Sequence, residues 1–233
     1  MSAYFVTGTD TDAGKTLVAA GLLALARARG LTTLGLKPVA SGCANTPDGL
    51  RNDDALALLA RSVPAVSYDT INPFAFEPAI APHLAAQHAG VQLDLAGLSE
   101  QVAARLQAPR DFTLVEGAGG WRVPLNDSED LAGLATRLDL PVILVVGLKL
   151  GCLNHARLTA EAIRADGARL VGWVGNLLDA DFARDESLYA DNLATLQRTL
   201  DAPCLGVVPR LSRVAPARRP EAALTHLELP HGN

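Results

Sequence analysis

The residues best suited to chemistry come early: Gly8–Thr16 reads GTDTDAGKT and follows the strand-like run Tyr4–Thr7. A polyphosphate needs backbone N–H groups aimed at it, and a glycine-containing loop that feeds a helix N-terminus supplies them. In such a loop Lys15 reaches the β- and γ-phosphates, and the Thr16 hydroxyl coordinates Mg²⁺. The spacing departs from the usual pattern at one place. The first glycine normally stands five residues before the second, where this chain has Thr9; Gly8 comes one residue sooner, so the loop is longer by one. The competing reading is an ordinary strand–turn–helix connection with a lysine in its first turn. An unpaired lysine there opposes the helix dipole by about 0.3–1 kcal/mol, a local conflict expected where an anion binds. The loop therefore reads as a site for ATP and Mg²⁺.

A second lysine, Lys37, sits in GLKPVASG, Gly35–Gly42. Pro38 cannot continue a central strand, so Lys37 falls at the carboxyl end of its run, with the Ser41 hydroxyl nearby. Local sequence equally allows a surface lysine. Asn52, Asp53 and Asp54 open a helical pattern; one acid answers the helix dipole, and this turn is also a candidate source of a Mg²⁺-directed carboxylate. FTLVEGAGG, Phe112–Gly120, delivers Glu116 from an apolar strand, ahead of small residues that let backbone approach phosphate. A buried glutamate demands a cation, which fits an acidic metal ligand opposite a phosphate loop. GLKLGCLNH, Gly147–His155, opens another helix whose N–H groups suit a second anion, although a helix start capped by Asn154 explains it as well. No Ser/His/acid, HExxH or GxSxG arrangement occurs, and His83, His88, His155, His226 and His231 lack metal-ligand spacing.

Something must hold these pieces at one edge. Short β-branched runs at Tyr4–Thr7, Thr33–Lys37, Phe112–Glu116, Val142–Gly147, Leu170–Asn176 and Cys204–Val208 alternate with helical patterns. The helices are expected at Lys15–Arg29, Asp53–Arg61, Leu98–Gln107, Leu131–Leu138, His155–Asp166 and Ser187–Leu200. Most strands are apolar on both faces, as strands covered by helices on both sides are. The pattern predicts one α/β domain over residues 1–233: a doubly wound, mainly parallel sheet with helices on both faces, P-loop NTPase-like. Ligands of such sheets bind beyond the carboxyl ends of the strands, where Gly8–Thr16, Lys37, Glu116 and Gly147–His155 fall. The tail Val214–Asn233 reads as irregular. The chain has 233 residues, 49% of them hydrophobic, enough to bury a core, and a net charge of −5 without a basic run, which argues against nucleic acid. Cys43, Cys152 and Cys204 are odd in number and far apart, so no disulfide framework is expected. The amino terminus lacks a signal-peptide pattern, and the most continuous apolar run, Pro141–Leu148, is strand-sized and too short to cross a bilayer. A cytoplasmic protein without a membrane partner is expected.

In this order YFVTGTDTDAGKT, GLKPVASG, GLRNDDALAL, NPFAFEPAIAPH, LVEGAGGW, PVILVVGLKLGCLNHA and GWVGN resemble the dethiobiotin synthetase family. The likeness spans most of the chain, weakening between Gln87 and Asp111 and after about Asp179, and the longer GTDTxxGKT loop is the family's own form. The resemblance implies an ATP-dependent ligase acting on 7,8-diaminopelargonic acid and CO₂ to give dethiobiotin, ADP and phosphate. It assigns Thr16, Asp54 and Glu116 to Mg²⁺, and Lys15 and Lys37 to catalysis. Nucleotide contacts are implied for Asp12, Ala13, Gly14, Lys15, Thr16, Leu17, Asp54, Glu116, Gly117, Ala118 and Gly119. Adenine falls near Asn176 and Pro209, Arg210 and Leu211. Thr11 and Ser41 are implied on the substrate side. A homodimer is also implied, in which Gly151, Cys152, Leu153 and Asn154 of one subunit hold the substrate carboxylate at the other subunit's site. Two rivals on related folds are a partitioning-type switch ATPase, which carries a KGGxGKT loop, and an amidotransferase-type ligase, which needs a glutaminase.

Overall fold

The computed structural model describes residues 2–108 and 110–230. In chain order the elements are β1 (Ser2–Gly8), α1 (Lys15–Ala28), β2 (Thr33–Leu36), β3 (Val39–Ala40), β4 (Ala44–Thr46), β5 (Gly49–Arg51), α2 (Asp53–Leu59), α3 (Tyr68–Ile71), β6 (Phe74–Ala75) and α4 (Pro82–His88). They continue with α5 (Leu95–Leu106), β7 (Phe112–Glu116), α6 (Ala132–Arg137), β8 (Val142–Leu148), α7 (Cys152–Ala165), β9 (Leu170–Leu177), α8 (Glu186–Thr199), β10 (Cys204–Val208) and α9 (Arg219–Ala223).

Six strands form one parallel sheet in the order β10-β9-β8-β1-β7-β2. Every residue of β7 and β8 is buried, because helices cover both faces of the sheet. One face packs with α1, whose Val18, Leu22 and Leu23 are fully buried, into the main core with Phe5, Leu114 and Ile143. The other carries a smaller cluster in which Trp173, Leu144 and Val146 meet Ala156 of α7 and Leu196 of α8. The register then aligns the strand ends: Val6 lies opposite Glu116, Gly8 opposite Val145, and Gly147 opposite Asn176. The phosphate loop, Glu116 and Asn176 thereby reach one edge. Among the described residues no helix is long and apolar enough to cross a membrane.

The six expected strands and six expected helices are all present, with ends shifted by up to three residues. Two expectations change. α7 begins at Cys152 behind Gly151, whose φ of 93° makes it the boundary residue, so Asn154 lies inside the helix rather than capping it. The carboxyl-terminal tail is structured as far as Pro230: α9 buries Pro220 and Ala223, and Gly206 bridges to Leu227, because small apolar residues there close over α1. Residues 231–233, the end of that expected tail, lie outside the described residues, and His231 with them.

Candidate active site

The phosphate loop is built by its own backbone. Asp10 accepts from the Thr11 N–H at 2.8 Å and starts a tight turn over Thr11–Ala13, and Gly14 then takes φ 92° to enter α1. A Cβ at Gly14 would lie 2.1 Å from Asn176 Nδ2, so glycine is required twice, by conformation and by contact. Asn176 in turn donates to Ala13 O at 3.0 Å and pins the loop to the end of β9. From the other side, the Thr9 hydroxyl accepts from the Gly147 N–H at 3.2 Å. Lys15 is 5% exposed and folds back to donate to Asp10 O at 3.0 Å and Thr11 O at 3.1 Å, inside the loop.

Four side chains converge beside it. Glu116 is fully buried, and its Oε1 accepts from both Thr16 Oγ1 and Lys37 Nζ, each at 2.8 Å. Lys37 Nζ also donates to Gly117 O at 2.9 Å and lies 3.5 Å from Asp54 Oδ2. Asp54 is half-buried and faces the cluster; its neighbour Asp53 is exposed in the first turn of α2, which Asn52 caps through Ala55 N–H. The second carboxylate oxygen of Glu116, Oε2, is buried without a hydrogen-bond partner. Such an atom costs free energy unless a cation meets it. Two carboxylates and a hydroxyl in a loop made for phosphate are the donors Mg²⁺ prefers, since it takes few protein ligands and shares the rest with phosphate and water. The residues present fit that ion. Among the described residues no group of three or more His, Cys, Asp or Glu side chains gathers to hold a metal by itself.

The two lysines differ electrically. Burial pushes the Lys15 ammonium down to about 8, helped by the charge of Lys37 and opposed by Glu116, Asp54 and Asp10. Burial works against the Lys37 charge too, but Glu116 and Asp54 outweigh it and hold Lys37 above the ordinary lysine value.

Other expected residues take distinct places. Ser41 accepts from Asn52 Nδ2 at its carbonyl, near the start of α2. Leu17, Asn176, Pro209, Arg210 and Leu211 line one cavity of about 270 Å³ beside the loop. Gly151 and Asn154 are exposed, Leu153 is half-buried and Cys152 is buried; the structure does not bring these four into the Lys37 cluster, although Lys149, just ahead of them, pairs with Asp10 at 3.6 Å. A wider surface cavity of about 660 Å³, lined by parts of the 83–94 and 125–129 segments, shares no residue with these groups. Sequence reasoning missed Tyr68 and Asn72. Asn72 Nδ2 donates to Lys37 O at 2.7 Å, and Tyr68 Oη bridges Asn72 Oδ1 to the Asn52 N–H, tying Lys37 to the start of α2. Only the motif NPF around Asn72 hinted at them. Lys149 follows the end of β8, a strand-end setting that parallels that of Lys37.

Comparison with known proteins gives the family of the chain. A family described as an AAA domain matches residues 2–218. The ATP-dependent dethiobiotin synthetase BioD of Chromohalobacter salexigens is 68% identical, with 99% of each chain covered. The Cellvibrio japonicus protein of the same name is 60% identical over 97% of this chain and 96% of its own. The chain belongs to the ATP-dependent dethiobiotin synthetase family. Similar solved structures include the MinC:MinD cell division complex of Aquifex aeolicus, with a TM-score of 0.59, 16% identity and coverage of 94% of this chain and 86% of that one. The septum site-determining protein MinD of Pyrococcus horikoshii, complexed with Mg-ADP, gives 0.55 at 18% identity, covering 97% and 87%. At such identity these likenesses establish the P-loop NTPase-like fold alone.

Proposed function

We propose that this chain closes the cyclic urea of dethiobiotin from 7,8-diaminopelargonic acid and CO₂ at the expense of ATP, in the cytoplasm and as a homodimer. One observation carries the proposal: Thr16 and Lys37 share one oxygen of a fully buried Glu116 whose other oxygen has no partner. That arrangement suits a metal ligand, a phosphate loop and a fixed lysine cation meeting around one point.

One amine of the substrate takes up CO₂ as a carbamate, whose anionic carbon is a poor electrophile. Attack of the carbamate oxygen on the γ-phosphorus of ATP forms a carbamic–phosphoric anhydride and releases ADP. The second amine then attacks the carbamate carbon, expels phosphate and loses its proton as the ring closes. No protein nucleophile is needed, so the chain's work is positioning and charge stabilisation. Thr16, Asp54 and Glu116 would hold Mg²⁺, which when bound offsets charge on the phosphate oxygens. Lys15 in the loop serves the triphosphate, with backbone from Asp12 to Leu17 and from Gly117 to Gly119. Lys37 sits where carbamate and γ-phosphate would meet, with Thr11 and Ser41 on the substrate side. Asn176 uses its Nδ2 on Ala13 O, which leaves its carbonyl oxygen for the base amine, beside Pro209–Leu211. The 151–154 turn would take the substrate carboxylate of the partner's site.

The fold also suits a switch ATPase, but the loop carries Asp10 where such proteins have lysine. The deciding experiment measures phosphate release from ATP with and without the diamine and bicarbonate. Release that requires both supports the synthetase reading; equal rates in all conditions refute it.

A further inference from the structure

The carboxyl-terminal segment has no part in the chemistry above, yet the molecule invests in docking it. Glu221 pairs with Arg61 at 2.7 Å, and Glu228 N–H donates to Leu205 O at 2.8 Å at the end strand β10. Gly21 on α1 admits the segment: a Cβ there would lie 2.8 Å from Leu227 and 3.2 Å from Ala223. The segment therefore lies against the helix that the phosphate loop feeds. Arg219, the first residue of α9, lines the cavity that Leu17, Asn176, Pro209 and Leu211 also line.

Arg219 is held in that position. Its Nε donates to Val214 O at 3.1 Å, and among the described residues its two terminal nitrogens bond to nothing else. A half-buried planar cation with free donors thus lines a cavity whose other walls are four leucines, Pro209, the Asn176 amide and the exposed Arg210 and Ser212. A guanidinium is flat, weakly hydrated and able to stack on an aromatic ring while its edge donates to ring nitrogens; a compact ammonium cannot do both.

We infer that Arg219 is a specificity-determining residue of the nucleotide site, its guanidinium packing on the base of the bound nucleotide, so that the carboxyl-terminal segment forms the wall of the base cavity. The inference rests on the nucleotide reading of this site. It adds a residue from outside the phosphate loop and outside the Pro209–Leu211 turn.

The test compares two probes, MgATP and magnesium tripolyphosphate, which share the phosphate chain but not the base. Dissociation constants are measured for the unaltered protein, Arg219→Met and Arg219→Lys. Arg219→Met is expected to weaken MgATP about five- to tenfold and to leave tripolyphosphate within twofold. Arg219→Lys should behave like Arg219→Met, because charge without the plane does not stack. Intact tripolyphosphate binding also shows that each variant is folded. Equal losses for both probes, an unchanged MgATP affinity, or full recovery with lysine would overturn the inference. If the unaltered protein binds neither probe, the nucleotide reading itself fails, a different outcome from a silent Arg219.

Discussion

Lys15 and Lys37 are both buried, yet their surroundings push them in opposite directions, and each direction predicts a different experiment. Lys15 is depressed to about 8 by burial before any phosphate arrives. A bound triphosphate favours the charged form and raises that value, so binding near and above pH 8 must take up a proton. Uptake of about half a proton is expected at pH 8, falling toward zero below pH 7 where Lys15 is already charged. Calorimetry of nucleotide binding in buffers of different ionisation enthalpy reads this directly; no uptake between pH 8 and 9 would contradict it. Lys37 is held charged by Glu116 and Asp54, so it titrates outside the working range and acts as a fixed cation. If it serves the transferring phosphoryl group, Lys37→Ala should lower turnover by about 10²–10³, or about 2.7–4 kcal/mol of barrier, while ATP affinity changes far less. Lys37→Arg should not restore it, because a planar fork cannot occupy the place of an ammonium shared between Glu116 and Gly117. Single-turnover rates and nucleotide affinities test both variants, and near-normal turnover in Lys37→Ala would remove the lysine from the reaction.

At the scale of elements, the loop's shape depends on the neighbour that braces it. Gly14→Ala forces an alanine to φ 92° and drives its Cβ into Asn176, whereas Gly30→Ala at φ 80° meets nothing within 4 Å. Both should lose about 1–3 kcal/mol of stability from backbone strain, but only Gly14→Ala should also weaken nucleotide binding by tenfold or more. Equal affinities in the two variants would show that the Gly14–Asn176 contact does not shape the loop. The same contrast explains what was legible in the sequence. Strands such as Phe112–Glu116 and Val142–Leu148 announce themselves because burial on both faces leaves a near-continuous apolar run. β3 and β6, two residues each, carry no period, and α9 hides behind prolines that read as loop. Lys37 and Glu116 could be placed at one edge from strand ends alone, whereas Asp54, in the first turn of α2, is singled out from Asp53 only by the family resemblance. The hydrogen bonds from Asn72 to Lys37 O and from Asn176 to Ala13 O could not, since they join residues 35 and 163 positions apart through tertiary packing.

For the whole molecule, the open question is how a substrate with two amines and a distant carboxylate is held by a site that ends at Lys37 and Ser41. The 151–154 turn carries exposed backbone at Gly151 and an exposed Asn154, and Leu150 beside it is 90% exposed, with Leu158 farther along α7 at 56%. Large apolar side chains so exposed beside a polar turn suit a surface that meets another copy. If the turn serves the partner's site, each site takes Lys15 from one subunit and Asn154 from the other. Asn154→Ala should then weaken diamine binding and leave ATP binding intact, and Lys15→Ala should weaken ATP binding. Mixing the two inactive proteins in equal amounts makes dimers in which half are mixed, and each mixed dimer has one site with both residues intact. Activity should therefore return to about a quarter of the unaltered protein's after subunit exchange. A site contained within one subunit predicts no return at all, because every subunit would still lack one of the two side chains. Following activity alongside the mixed-dimer fraction by native mass spectrometry separates these cases. Complete exchange without recovery would confine the substrate to one chain and leave Leu150 without its proposed role.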